Sequence, residues 1–229
     1  MERIRKSKGL DRVPRLCEYF DLIGGISTGG IIAIMLGRLG ITVDECIRAY
    51  ENVGRAAFTP KRTLLPIAPP KGAFSATALE GAIKRVVREH CPTLFTTYDP
   101  STTFQDCTIW QVARATSAAT TFFKSIELGR DKVKFIDAGF GYNNPYEVLI
   151  GEAKKQFPDR SQLQILSIGR GLGDVVDIQD SRLSILQALK RMASSSIAAA
   201  TRLDDQYGDR GQYHRFNVKR GLVDVALSD

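Results

Sequence analysis

Residues 20–39 read FDLIGGISTGGIIAIMLGRL, and at the centre Gly25-Ile26-Ser27-Thr28-Gly29 is a G-x-S-x-G. A short run, Phe20-Asp21-Leu22-Ile23, apolar but for Asp21, leads in, and a nearly all-apolar run, Gly29 to Leu39, leads out. The first reads as a short strand and the second as a helix buried on most sides. A serine on such a sharp strand-to-helix turn is strained, and side chains two residues before and after it would collide with neighbouring backbone. Glycines there leave Ser27 Oγ exposed, with the helix N-terminus and the Thr28 N–H facing a developing negative charge. The plainer alternative is a glycine-rich turn that only packs a helix closely on a strand.

Composition narrows the classes. With 229 residues, 43% apolar and 25% charged, the chain can bury a sizeable core and is not disordered by usage. The longest unbroken apolar run, Ile31 to Leu36, is far short of a membrane span. The basic opening, MERIRKSKGLDRVPR, has no apolar segment after it, because Glu18 and Asp21 follow soon. The expectation is a cytoplasmic chain, peripheral to membranes where it meets lipid. Thirty-two Lys and Arg against 25 Asp and Glu leave +7, which favours anionic partners. The charge is spread along the chain, so nucleic acid is not expected. Nothing points to an obligate protein partner. Cys17, Cys46, Cys91 and Cys107 form no C-x-x-C pair and read as free buried thiols; no metal site or cofactor is expected.

Strands and helices alternate through the rest. Thr59 to Gly72 holds four of the nine prolines and reads as a long loop. Thr42 with Glu45 forms a capping box, Ile41 can staple to Cys46, and Val43, Cys46, Ile47, Tyr50 and Val53 keep helical spacing. Helices are also expected over Ala76 to Glu89, Thr108 to Ala119 and Ser184 to Ala200. Another should start with Asn144 as cap and Pro145 as first residue. Val133 to Ile136 and a central Leu163 to Ile168 read as strands, and Tyr213 to Val218 as an edge strand. The alternation implies a mostly parallel sheet covered by helices, in one domain over 1–229 with its chemistry within about 1–150 and a strand and helix portion over about 151–229.

Ser27 needs a base. The order Ser27, Asp137, His214 fits a Ser–Asp–His hydrolase, but in that fold several strands precede the nucleophile, and 26 residues cannot supply them. His214 sits in an edge strand, and His90 reads as a cation at a helix end. Asp137 is the better candidate. It follows the strand at Val133 and opens Asp137-Ala138-Gly139, whose small residues leave room for another group to approach. At the carboxyl end of a parallel strand it would share a sheet edge with the serine turn and could take the proton directly. The same residues equally fit an Asx-turn before the Asn144 helix start.

Together the two segments resemble the patatin-like phospholipases, lipid acyl hydrolases with a Ser–Asp dyad. Gly25 to Gly30 match the family's G-x-S-x-G-G, and Asp137 with Gly139 its D-G-[GA]. Trp110 to Ala119, Asn143 to Pro145, Leu166 to Gly169 and Asp180 to Ser184 are similar to its fungal branch. The resemblance implies a three-layer α/β/α fold with a mostly parallel central sheet. It also implies Ser27 as nucleophile, Asp137 as proton acceptor, no metal, and a glycerolipid or phospholipid substrate. Three departures stand out. Family members carry a first strand and a D-G-G-G-x-R-G loop of oxyanion donors before the nucleophile, which this sequence lacks. Ala138 replaces a glycine, a strain if the position needs positive φ. Arg170 replaces a threonine. The alternative they imply is an impaired or truncated fragment that at most binds lipid, with an open sheet edge.

Overall fold

The computed structural model describes residues 1–57, 106–119, 123–130, 132–138, 144–169 and 197–217. The expected loop 59–72, the helix 76–89, residues 184–196, and His90, Cys91, Gly139 and Arg170 lie outside them. The chain divides into two units, Met1–Ala138 and Gly139–Asp229.

In the first unit, α1 (Glu2–Lys8) stops at Gly9 with φ 62°, where the Leu10 N–H donates to Arg5 O and the Gly9 N–H to Lys6 O. This paired closure is what a left-handed glycine makes possible at a helix end. A 3-10 turn, Leu16–Glu18, follows; Arg12 clamps the Glu18 carboxylate at 2.7 Å and the Arg15 N–H donates to it. Residues 20–23 form no strand, contrary to the sequence reading. A strand exists only as half of a hydrogen-bonded ladder, and no described strand runs beside this segment; the Phe20 N–H instead donates to Leu16 O at 2.9 Å.

The apolar run after Ser27 is helical but not uniform. α2 (Thr28–Ala33) passes into a π-helical turn, Ile34–Arg38. The wider turn lets the chain swing into Gly40 (φ 62°), with the Ile41 N–H donating to Met35 O. α3 (Val43–Ala57) opens on the expected box: the Thr42 N–H donates to Glu45 Oε2 at 2.8 Å and the Glu45 N–H to Thr42 Oγ1 at 3.3 Å. Its core stripe is Cys46, Val53 and Ala57; Val43 and Ile47 face solvent, so the expected stripe is rotated. Of the cysteines, Cys46 and Cys107 are buried and Cys17 is exposed, which corrects the reading of all as buried.

α4 (Ile109–Thr116) starts on a second box between Thr108 and Gln111. It has two working faces. Ile109 and Ala113 join Ile31, Met35, Ile41 and Val53 in one cluster; Ala115, with Val112 behind it, packs with Cys107 and Leu128 in another. α4 thus lies between the α2–α3 layer and a hairpin of β1 (Ile126–Leu128) and β2 (Val133–Phe135). The hairpin is antiparallel, pairing Ile126 with Phe135 and Leu128 with Val133. The strand before Asp137 was expected in a parallel sheet. Only three residues separate Gly129 (φ 76°) from Val133, and so short a reversal can join only antiparallel strands.

In the second unit, α5 (Tyr146–Gln156) begins one residue later than expected, with Pro145 as its cap. β3 (Ile165–Ile168), α6 (residues 197–207) and β4 (Tyr213–Phe216) follow. β3 and β4 are parallel, from Ile165 beside Tyr213 to Ile168 beside Phe216. α6 runs past the expected end at Ala200 to residue 207, because Leu203 and Tyr207 continue its apolar stripe onto Ile165 and Tyr213. β3 alternates: Ile165 and Ser167 are buried, whereas Leu166 and Ile168 are exposed. Arg215 donates to Ser167 Oγ at 2.7 Å and Tyr146 Oη to Leu166 O at 3.0 Å; burial raises the Tyr146 phenol pKa.

Candidate active site

Ser27 sits at φ 56°, ψ −127°, immediately before α2. Its Cβ makes that conformation costly, of order 1–3 kcal/mol, and the surrounding chain must hold it. The restraint begins with Gly25. A Cβ on Gly25 would lie 2.2 Å from Gly29 O and 2.4 Å from Gly29 C, so only glycine lets the chain double back there. Outside its own helix turn, Gly29 meets no atom of the described residues within 4 Å of its Cβ position, which corrects the expectation of a clash on both sides of the serine. The second tight position is Gly30, whose Cβ would meet Thr116 Oγ1 at 2.6 Å and Cγ2 at 2.9 Å.

The first turn of α2 turns back on the elbow: the Gly30 N–H donates to Ser27 O at 3.0 Å and the Ile31 N–H at 3.3 Å. Among the described residues no group accepts from the Thr28 or Gly29 N–H, the two foremost donors of the helix. Beside a serine hydroxyl, such donors can hold an oxyanion.

Asp137 is 4% exposed, two residues past the end of β2, and its N–H donates to Ala118 O at 3.0 Å. The Ser27 N–H donates to Thr116 Oγ1, also at 3.0 Å. Both candidate residues are therefore tied to the same three residues, Thr116-Ser117-Ala118, at the C-terminal end of α4. Two residues of chain reach at most about 7 Å. Residues 110 apart in sequence are thus brought to one locality within the first unit. That helix end is itself fixed: Ser117 Oγ donates to Ala113 O at 2.9 Å, and the buried Arg114 donates to Lys124 O and lies 5.9 Å from the Phe123 ring centroid.

The other expected residues are placed as follows. Ile26 and Thr28 are half-buried in the elbow. Ala138 is exposed and, since Ser27 and Lys132 are the non-glycine residues with positive φ among those described, its methyl group carries no left-handed strain. His214 is exposed on β4 in the second unit, beside Leu166. The sequence marks Thr116 only as one residue of the stretch Trp110 to Ala119; no local signal distinguishes a threonine that contacts a residue 89 positions away. Among the described residues no group of three or more His, Cys, Asp or Glu could hold a metal, and no helix is long and apolar enough to cross a membrane.

The chain is similar in sequence to known proteins. The family model for Patatin-like phospholipase matches residues 8–150. Over 240 residues the chain is 27% identical to calcium-independent phospholipase A2-gamma of Mus musculus, covering 88% of this chain and 30% of that protein. Over 302 residues it is 27% identical to Patatin-like protein 1 of Oryza sativa subsp. indica, covering 99% of this chain and 72% of that protein. A 41-residue stretch is 49% identical to Phospholipase A I of Arabidopsis thaliana, covering 18% of this chain and 3% of that protein. The chain spans about a third of the length of the calcium-independent phospholipases it matches. With the family match running over more than half of the chain and through both Ser27 and Asp137, the protein belongs to the patatin-like phospholipase family, whose fold is three-layer α/β/α.

Proposed function

We propose that the chain is a serine lipid acyl hydrolase acting on the ester bonds of glycerolipids or phospholipids, with Ser27 as nucleophile and Asp137 as its base. The observation that carries this is the backbone of Ser27, at φ 56° and ψ −127°. A turn that served only for packing would be less strained with glycine. A serine kept there at a conformational cost supports use of its hydroxyl. The family membership and the buried Asp137 on the same helix end support the pairing.

In this reading Ser27 Oγ attacks the acyl carbonyl carbon while the Asp137 carboxylate takes the hydroxyl proton. Negative charge forms on the carbonyl oxygen, within reach of the Thr28 N–H. The tetrahedral adduct collapses, the C–O bond to glycerol breaks, and Asp137 returns the proton to the departing alcohol. Water, giving its proton to Asp137, then attacks the acyl-serine; the bond from the acyl carbon to Ser27 Oγ breaks, Asp137 returns the proton to Oγ, and the fatty acid is released. The net charge of +7 favours approach to anionic lipid surfaces from the aqueous side.

An active-site-directed fluorophosphonate tests this. Covalent labelling located at Ser27, lost in Ser27→Ala, together with release of fatty acid from phospholipid vesicles, is the expected result. Labelling unchanged in Ser27→Ala removes the nucleophile. Vesicle binding without labelling or fatty-acid release replaces the hydrolase with a lipid-binding domain.

A further inference from the structure

We infer that Thr116 is the positioning residue of the serine elbow: its hydroxyl oxygen holds the Ser27 N–H and so keeps Oγ aimed for attack. The inference rests on the proposed role of Ser27 and goes beyond it, since it assigns a function to a residue on another helix.

The geometry begins with an unmet donor. In its strained conformation Ser27 precedes α2, so its N–H belongs to no helical hydrogen bond. A half-buried N–H needs an acceptor. Thr116 Oγ1 supplies it at 3.0 Å from 89 residues away. The second contact restricts the threonine. Its Oγ1 and Cγ2 both close on the face of Gly30, where a single added carbon would stand 2.6 and 2.9 Å from them. A β-branched side chain has few χ1 states, and one wedged in this way is confined to the rotamer that presents oxygen to Ser27. Thr116 also ends α4, and two residues later Ala118 O accepts the Asp137 N–H. A change in how the elbow sits on Thr116 therefore alters the placement of Ser27 relative to Asp137, not only local packing. Misplacement of a reacting group by a fraction of a bond length is costly to turnover and leaves ground-state binding nearly intact.

Three variants separate this role from packing. Thr116→Val keeps the shape and removes the acceptor; Thr116→Ser keeps the acceptor and removes the methyl group; Thr116→Ala removes both without adding bulk. Each is assayed below its own unfolding midpoint, for kcat and KM on a soluble short-chain ester and for the rate of fluorophosphonate labelling at saturating probe. The expected pattern is kcat and labelling rate at least about tenfold lower in Thr116→Val, KM within about twofold, and Thr116→Ser within about threefold of the parent. Should Thr116→Val fail to fold, the contrast between Thr116→Ala and Thr116→Ser reads the same effect. Activity that follows the lost methyl group, with Thr116→Ser as impaired as Thr116→Val or Thr116→Ala, overturns the inference, as does parental activity in Thr116→Val. If the parent itself is not labelled at Ser27, the proposed hydrolase fails instead, and the two failures are distinguishable.

Discussion

The backbone of Gly29 occupies the space that a side chain on Gly25 would need: an added Cβ would stand 2.2 Å from the Gly29 carbonyl oxygen. The contact is with main chain, which cannot rotate away. Gly25→Ala is therefore expected to destabilise the fold by about 1–3 kcal/mol and to weaken labelling of Ser27 sharply. Gly29→Ala meets no described atom within 4 Å and replaces a helical glycine, so its unfolding midpoint should stay level or rise by up to about 1 kcal/mol in stability. Denaturant unfolding of the two variants side by side checks the contrast.

Replacing Asp137 by Asn keeps size and the backbone bond to Ala118 but removes the proton acceptor. Turnover should fall about 10²–10⁴-fold, in kcat rather than KM, with the unfolding midpoint nearly unchanged. Steady-state kinetics on a soluble ester decides; retained turnover would assign the base elsewhere.

His214 is exposed on β4, and the proposed chemistry does not use it. His214→Ala should leave hydrolysis within about twofold of the parent. A loss of roughly 10⁴-fold would point to a Ser–Asp–His triad.

Two stability terms can be compared by chemical denaturation. Thr42→Ala removes the acceptor of the Glu45 N–H at the start of α3 and should cost about 1 kcal/mol. Met35→Ala empties a site only 1% exposed, in the π turn behind the elbow, and should cost about 2–5 kcal/mol.

Burial pushes the Cys46 thiol pKa up to about 11. The thiolate is the reactive form, so at pH 8 Cys46 stays protonated and inert, while the exposed Cys17 is open to reagent. Iodoacetamide followed by peptide mass mapping should find Cys17 modified and Cys46 untouched until the protein unfolds. Early modification of Cys46 would mean that the α2–α3 layer opens in the native state.

What the sequence determined by itself was local. The Thr42–Glu45 box is visible because its partners are three residues apart, and the elbow because Gly25 must yield to backbone only four residues on. Contacts at that range leave a pattern in the order of residues. The resemblance of two such segments was enough to reach the family. The tertiary structure decided everything that depends on a distant partner. Residues 20–23 are apolar enough for a strand but lie beside no described strand, and β2 takes its antiparallel sense from the hairpin reversal rather than from its own composition. The rotation of the α3 stripe, with Val43 and Ile47 outside, was set by which face α2 and α4 cover. The meeting of Ser27 with Thr116, and of Asp137 with Ala118, has no local signature at all. A hydrogen bond across 89 residues constrains geometry only after the helices have packed, so no spacing in the chain could announce it.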